Sequence, residues 1–177
     1  MQGWQKATGL IIKKSRNREN DQLLVIYTKE LGKVMVSARG SQKITSRRLG
    51  AIDTLNFVSI VVREHHPFYT LKEVSLISSL QTLKTDYQKK RRLLYILEVI
   101  DKLTSFGQVD IPLYRFLKQF LVTNAEEGLD EDSLFSQTLK LLQILGYTLP
   151  PQSFRSWATL EKYLESLSEK NLLSREL

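Results

Sequence analysis

A chain of 177 residues, 42 % of them hydrophobic, can bury an ordinary core as one large domain or two small ones. It has no cysteine, which removes disulfides, thiolate metal sites and cysteine nucleophiles together, and no apolar run approaches the roughly 20 residues that span a bilayer. The formal net charge of +7 sits in one half: residues 1–80 hold 13 Lys and Arg against 6 Asp and Glu, whereas residues 81–177 hold 13 of each sign.

A basic half joined to a neutral half attracts polyanions and speeds their encounter. Nucleic acid comes first among these. An acidic membrane surface comes second, because the basic residues do not fall on one amphipathic helix. The opening residues 1–6, Met-Gln-Gly-Trp-Gln-Lys, carry no apolar signal region, and the expected location is cytoplasmic.

The first 80 residues have the pattern of strands. Residues 7–13 are short and apolar. The basic cluster Lys13, Lys14, Arg16 and Arg18 follows as an expected loop, and residues 22–28 form a second strand. Residues 30–33 have the composition of a turn in which Gly32 takes a positive φ, ahead of a third strand at 33–38. Next comes the most basic stretch of the chain. Arg39, Lys43, Arg47 and Arg48 are interrupted by no acid, Gly40 lets the backbone turn, and Ser41, Thr45 and Ser46 add hydroxyls. Residues 55–63 are the longest strand candidate; His65, His66 and Pro67 break it, and residues 69–74 resume. Five strands without βαβ spacing fit a small antiparallel barrel, whose closure hides the strand edges, and a five-stranded barrel of this size points to an OB-fold.

The period then changes to that of helices. Within residues 86–103, Leu93, Ile96, Leu97, Ile100 and Leu103 recur at helical spacing. Asp110 and Pro112 are start signals for a helix over 110–121. A third helix covers 131–145 and ends at Gly146, and a fourth covers 156–167, with Pro150 and Pro151 between them. The expected class is therefore α+β: an OB-fold at 1–80 that binds nucleic acid, followed by an all-helical domain at 81–177 that docks proteins.

A basic, hydroxyl-bearing loop at a strand end offers phosphates charge and short-range donors together. The candidate DNA-binding residues are Lys13, Lys14, Arg16, Arg18, Lys33, Arg39, Lys43, Arg47 and Arg48. The bland explanation, a loop kept basic for solubility, applies to any charge run. Lys89, Lys90, Arg91 and Arg92 form a further basic cluster that either extends a groove or solvates its helix. Tyr27, Phe57, Phe68 and Tyr69 lie in or beside strands. Most strand aromatics are core, so Phe68 and Tyr69, next to a turn, are the better candidates for stacking bases.

Nothing has the pattern of a catalytic site. The acidic run from Glu126 to Asp132 lacks calcium-loop spacing and suits a helix N-terminus instead. Adjacent His65 and His66 would point to opposite faces of a strand. There is no nucleophile elbow and no glycine-rich phosphate loop. The expectation is a protein that is not an enzyme and needs no cofactor or metal.

Several short motifs in order resemble one family. Residues 1–6 are similar to the start of some members. Residues 19–24, Glu-Asn-Asp-Gln-Leu-Leu, resemble its E-x-D-x-L segment. Residues 28–33, Thr-Lys-Glu-Leu-Gly-Lys, resemble its T-x-x-x-G-[KR] turn, and Ala38-Arg39-Gly40 with Ser46-Arg47 resembles its basic loop. Leu145-Gly146-Tyr147 and Ser174-Arg175 resemble later landmarks. These features resemble RecO, a family of bacterial recombination mediators. The resemblance implies an OB-fold followed by a helical domain and binding of single- and double-stranded DNA. It implies annealing of complementary strands and recombinase loading with a RecR partner. It also implies contact with the acidic tail of single-strand binding protein.

The chain is short for that family after Tyr147, and without cysteine no zinc is expected. A tail that is acidic with an apolar end needs a hydrophobic groove edged by cations, for which Arg115, Lys118 and Lys140 are the candidates. Phe135 and Ser136 stand where members can carry basic residues. The alternatives are an OB-type RNA-binding or ribosome-associated protein, and an adaptor whose basic face meets an acidic protein.

Overall fold

The computed structural model describes residues 3–16, 21–39, 50–65, 67–79, 85–127, 129–147 and 156–168. The chain divides into two compact units. One is Met1–Leu80 with Ser105–Asp110, and the other is Gln81–Thr104 with Ile111–Leu177.

The first unit is built on β1 (Gln5–Arg16), β2 (Gln22–Thr28), β3 (Gly32–Ala38), β4 (Phe57–His65) and β5 (Phe68–Ser78). They close in the order β1-β2-β3-β5-β4, with every pairing antiparallel except β3 to β5. This is the expected OB-fold. Alternation along each strand turns one side chain in two inward. Ala7 and Ile11, Leu24 and Ile26, Val34 and Val36, Val58, Ile60 and Val62, and Leu71 thereby make one core, to which Ile52 adds a residue from outside the strands. Most are β-branched, the shape that fits a pleated surface. At Gly9 the chains approach so closely that a Cβ would lie 2.3 Å from the Tyr27 carbonyl oxygen.

Three of the strand boundaries that differ from the sequence expectation have a local reason. β1 continues to Arg16 past a bulge between Ile11 and Lys13, so Lys13, Lys14, Ser15 and Arg16 pair with Val25, Leu24, Leu23 and Gln22. Lys13, Lys14 and Arg16 are therefore strand residues and not loop residues. Backbone pairing to β2 extends the ladder where side-chain hydrophobicity has already stopped. β4 begins at Phe57 because Leu55 takes a left-handed φ of 69°. There the Asn56 amide donates to the carbonyls of Gly50 and Ala51 at 3.1 and 2.8 Å. β5 runs on to Ser78 because it stays paired with β4, although Ser75, Leu76, Ile77 and Ser78 are all exposed.

The segment Ser105–Asp110 belongs to the barrel unit although it lies between two helices in sequence. The Gly107 amide donates to the Lys33 carbonyl at 2.8 Å. Gly32 has φ 67°, and a Cβ there would sit 2.0 Å from the Gln108 carbonyl oxygen, so both conformation and space demand glycine.

The second unit contains α1 (Tyr87–Leu103), α2 (Ile111–Glu127), α3 (Glu131–Ile144) and α4 (Trp157–Ser168). The carboxylates of Asp86 and Asp130 cap α1 and α3, accepting from the amides of Lys89 and Ser133 at 3.0 and 2.7 Å. Glu131 and Asp132 occupy the first turn of α3, the place where negative charge suits the helix dipole. α2 extends to Glu127, beyond the expected end at 121. Within that extension Asn124 is buried, and its amide donates back to the Phe120 carbonyl at 2.6 Å. α1 packs on α4 and α2 on α3. The Trp157 ring meets Tyr95 and Phe135 edge-on, with centroids 5.8 and 5.1 Å apart, and so ties α4 to both α1 and α3. Among the described residues no helix is long and apolar enough to cross a membrane.

Candidate nucleic-acid interface

Register decides which charges meet. Arg16 pairs with Gln22, and Gln22 pairs with Ala38, the residue before Arg39. The basic end of β1 and the start of the basic stretch after β3 therefore lie at the same end of the β1-β2-β3 meander. Alternation puts Lys14 and Arg16 on one side of β1 and Lys13 on the other. Lys14 is held by Asp53, Nζ to Oδ1 at 2.7 Å, so its charge is locally balanced. Lys13, Arg16 and Arg39 are exposed. Arg18, Lys43, Arg47 and Arg48 lie outside the described residues, as do Ser41, Thr45, Ser46 and His66.

Lys33 is a correction. It is only 2 % exposed, and its ammonium lies 4.5 Å from the centroid of the Phe106 ring. A cation enclosed on an aromatic face beneath the segment Ser105–Asp110 is not presented to phosphates, so Lys33 leaves the set. Tyr27 is likewise core at 1 % exposure, and burial, then the charge of Asp110, hold its hydroxyl above the ordinary range. Tyr69 packs against the barrel core, and burial, then Glu64, push its hydroxyl up. Phe57 is half-buried, whereas Phe68 is exposed.

Around Arg39 the barrel forms an open cleft of about 370 Å³ lined by Trp4, Arg39, Arg63, Glu64, His65 and Thr70. The lining comes from two strands and from the residues flanking two others. Trp4 precedes β1, Arg39 follows β3, Arg63, Glu64 and His65 end β4, and Thr70 lies near the start of β5. Ladder pairs hold the parts in place: Gln5 with Val62, Ser37 with Thr70, and Arg63 with Thr70. The Trp4 side of the cleft carries a further cation, with Lys72 Nζ 5.3 Å from the indole centroid. Two guanidinium groups, an imidazole, a hydroxyl and a large aromatic face thus converge, against one carboxylate. This arrangement can hold phosphate oxygens and stack a planar ring.

Trp4, Arg63 and Lys72 were not among the sequence candidates. Arg63 ends an apolar strand directly before a hairpin, which is a usable signal. Trp4 lies 35 positions before Arg39 with no periodicity to connect them, and only barrel closure does so.

In the helical unit, Phe116, Gln119, Phe120 and Thr123 of α2 face Gln137 and Lys140 of α3 across a small groove. Lys140 thus edges an aromatic floor, with the Phe116 and Phe120 rings stacked at 5.8 Å. Arg115 and Lys118 are exposed on α2 outside that lining. In the basic cluster of α1, Arg92 donates to the Leu129 carbonyl at 2.5 Å, a structural tie to the start of α3.

Residues 1–80 match the family model described as recombination protein O N terminal. The chain is 31 % identical over 142 residues to the DNA repair protein RecO of Clostridium perfringens, an alignment that covers 80 % of this chain and 58 % of the relative. It is 30 % identical over 149 residues to the DNA repair protein RecO of Listeria welshimeri, covering 80 % and 56 %. With the DNA repair protein RecO of Caldanaerobacter subterraneus the identity is 28 % over 145 residues, covering 80 % and 58 %. The chain therefore spans under two thirds of the length of these relatives.

Proposed function

From the membership of this chain in the RecO family, we propose that it is a DNA-binding recombination mediator acting in recombinational repair. On this reading it anneals complementary strands and helps load recombinase onto DNA coated by single-strand binding protein. The observation that carries the reading is the barrel cleft, where Arg39, Arg63 and His65 meet beside the exposed Trp4. Such a surface takes up polyanionic strands without reading their sequence, because charge and ring faces are common to all nucleotides. Cations that neutralise phosphates on two strands lower the repulsion between them. Base pairing then supplies specificity and driving force, and the protein breaks no bond.

The helical unit serves docking on this proposal. The groove of Phe116, Phe120 and Lys140 has the chemistry an acidic peptide with an apolar end requires: an aromatic floor and a cation at the rim. Arg115 and Lys118 would reach such a peptide only from outside the groove. A RecR-like partner is the other proposed associate, and the proposed workplace is the nucleoid in the cytoplasm.

Annealing of complementary labelled DNA strands, bare and coated with single-strand binding protein, tests the proposal. The full chain is expected to accelerate both reactions, and Lys140→Glu to slow only the coated one. No acceleration on bare DNA, with tighter binding to RNA of the same sequence, would replace this reading with an RNA-binding one.

A further inference from the structure

Trp4 is 47 % exposed, although it is the largest kind of apolar side chain and stands next to a strand locked into the barrel by the pairs Gln5–Val62 and Lys6–Val61. Cations surround it, Lys72 over the ring and Arg39 and Arg63 in the same cleft, where the His65 imidazole adds a further polar group. Exposed aromatic surface beside fixed positive charge is the combination that recognises nucleotides in single strands. There the ring takes the base and the cations take the phosphates. A duplex offers phosphates at such a site but no base face, since its bases are stacked on each other.

We propose that the cleft is a subsite for one unpaired nucleotide, with its base stacked on the Trp4 indole and its phosphate held by Arg39 and Arg63. The proposal rests on the DNA-binding reading above and adds the strand preference. Arg39 and Arg63 bind single and double strands alike, and Trp4 makes the protein favour the unpaired form. Lys72 lies over the indole in the free protein with its ammonium 3.6 Å from the Glu73 carboxylate, so the phosphate is assigned to Arg39 and Arg63 and not to Lys72. Glu64, the one acid of the cleft, disfavours a second phosphate on its own side.

The test uses the full chain with three probes of equal length: oligo-dT, an abasic phosphodiester chain, and a duplex. The wild type is expected to bind oligo-dT more tightly than the abasic chain. Trp4→Ala is expected to weaken oligo-dT binding about 10-fold while leaving the abasic chain and the duplex unchanged, and Trp4→Phe is expected to keep most of the affinity. Binding of oligo-dT should also quench the tryptophan fluorescence of the wild type, a signal absent in Trp4→Phe, where Trp157 alone remains. A folded Trp4→Ala with unaltered oligo-dT affinity would overturn the subsite and leave the indole for a protein contact. Equal weakening on all three probes would overturn it as well, by reducing Trp4 to a scaffold residue. Should the wild type bind none of the three, it is the DNA-binding reading that fails.

Discussion

Two lysines of the same basic half show why charge must be weighed with burial. Lys14 is only partly covered and balanced by Asp53, whereas Lys33 is enclosed, its stem in the barrel unit and its ammonium on Phe106. Long cationic side chains bury their methylenes readily, and a desolvated cation on a ring is held more strongly than an exposed one. Lys33→Ala is therefore expected to lower stability by about 2 kcal/mol and to leave DNA affinity unaltered. Thermal melts paired with DNA titration below the transition check this. A variant that melts like wild type yet binds DNA weakly would restore Lys33 to the interface.

At the level of elements, the acidic stretch before α3 illustrates a charge run with a structural task. The Ser133 hydroxyl and then its amide hold the Asp130 carboxyl below the ordinary aspartate value, with a smaller contribution from Arg92. The sign follows from the depression. The charged cap stabilises the folded helix above the unfolded aspartate value, and that contribution disappears as pH falls through the lower folded value. Asparagine caps helices well but carries no charge. Asp130→Asn is accordingly expected to melt slightly below wild type at neutral pH and to converge with it in acid. Melting curves across that range decide the matter, and a gap that widens on acidification would contradict the assignment. β1 offers the complementary lesson. Its last four residues, Lys13 to Arg16, have no apolar pattern, and they are strand because β2 supplies partners for their backbone.

For the molecule as a whole, the confinement of +7 to residues 1–80 sets the electrostatic expectation. Arg39 is exposed at the barrel cleft, and Lys43, Arg47 and Arg48 follow it in sequence. If these residues neutralise about 4 phosphates, the log–log dependence of single-strand affinity on salt has a slope near roughly −3. Replacing all four by Ala should flatten that slope and weaken binding without unfolding the protein. The comparison is made by titration across salt concentrations, with the melting temperature as the control for folding. An unaltered slope in the folded variant would remove these four residues from the proposed interface.

The pattern of residues was sufficient for the class of each half, for most of the elements and for the turn at Gly32. Hydrophobic period, capping residues and glycine placement act over a few positions and are written directly into the chain. It was also sufficient to locate the excess charge, because charge is additive along a sequence. The composition of the proposed interface was not legible in this way. Trp4, Arg39 and Arg63 come together only when β1 closes onto β4 and β3 onto β5, and Lys33 is withdrawn only when residues from beyond α1 return to cover it. Those events depend on long-range backbone pairing, whose register no local spacing encodes, so tertiary structure alone decided which of the basic half's charges are exposed together and which are enclosed.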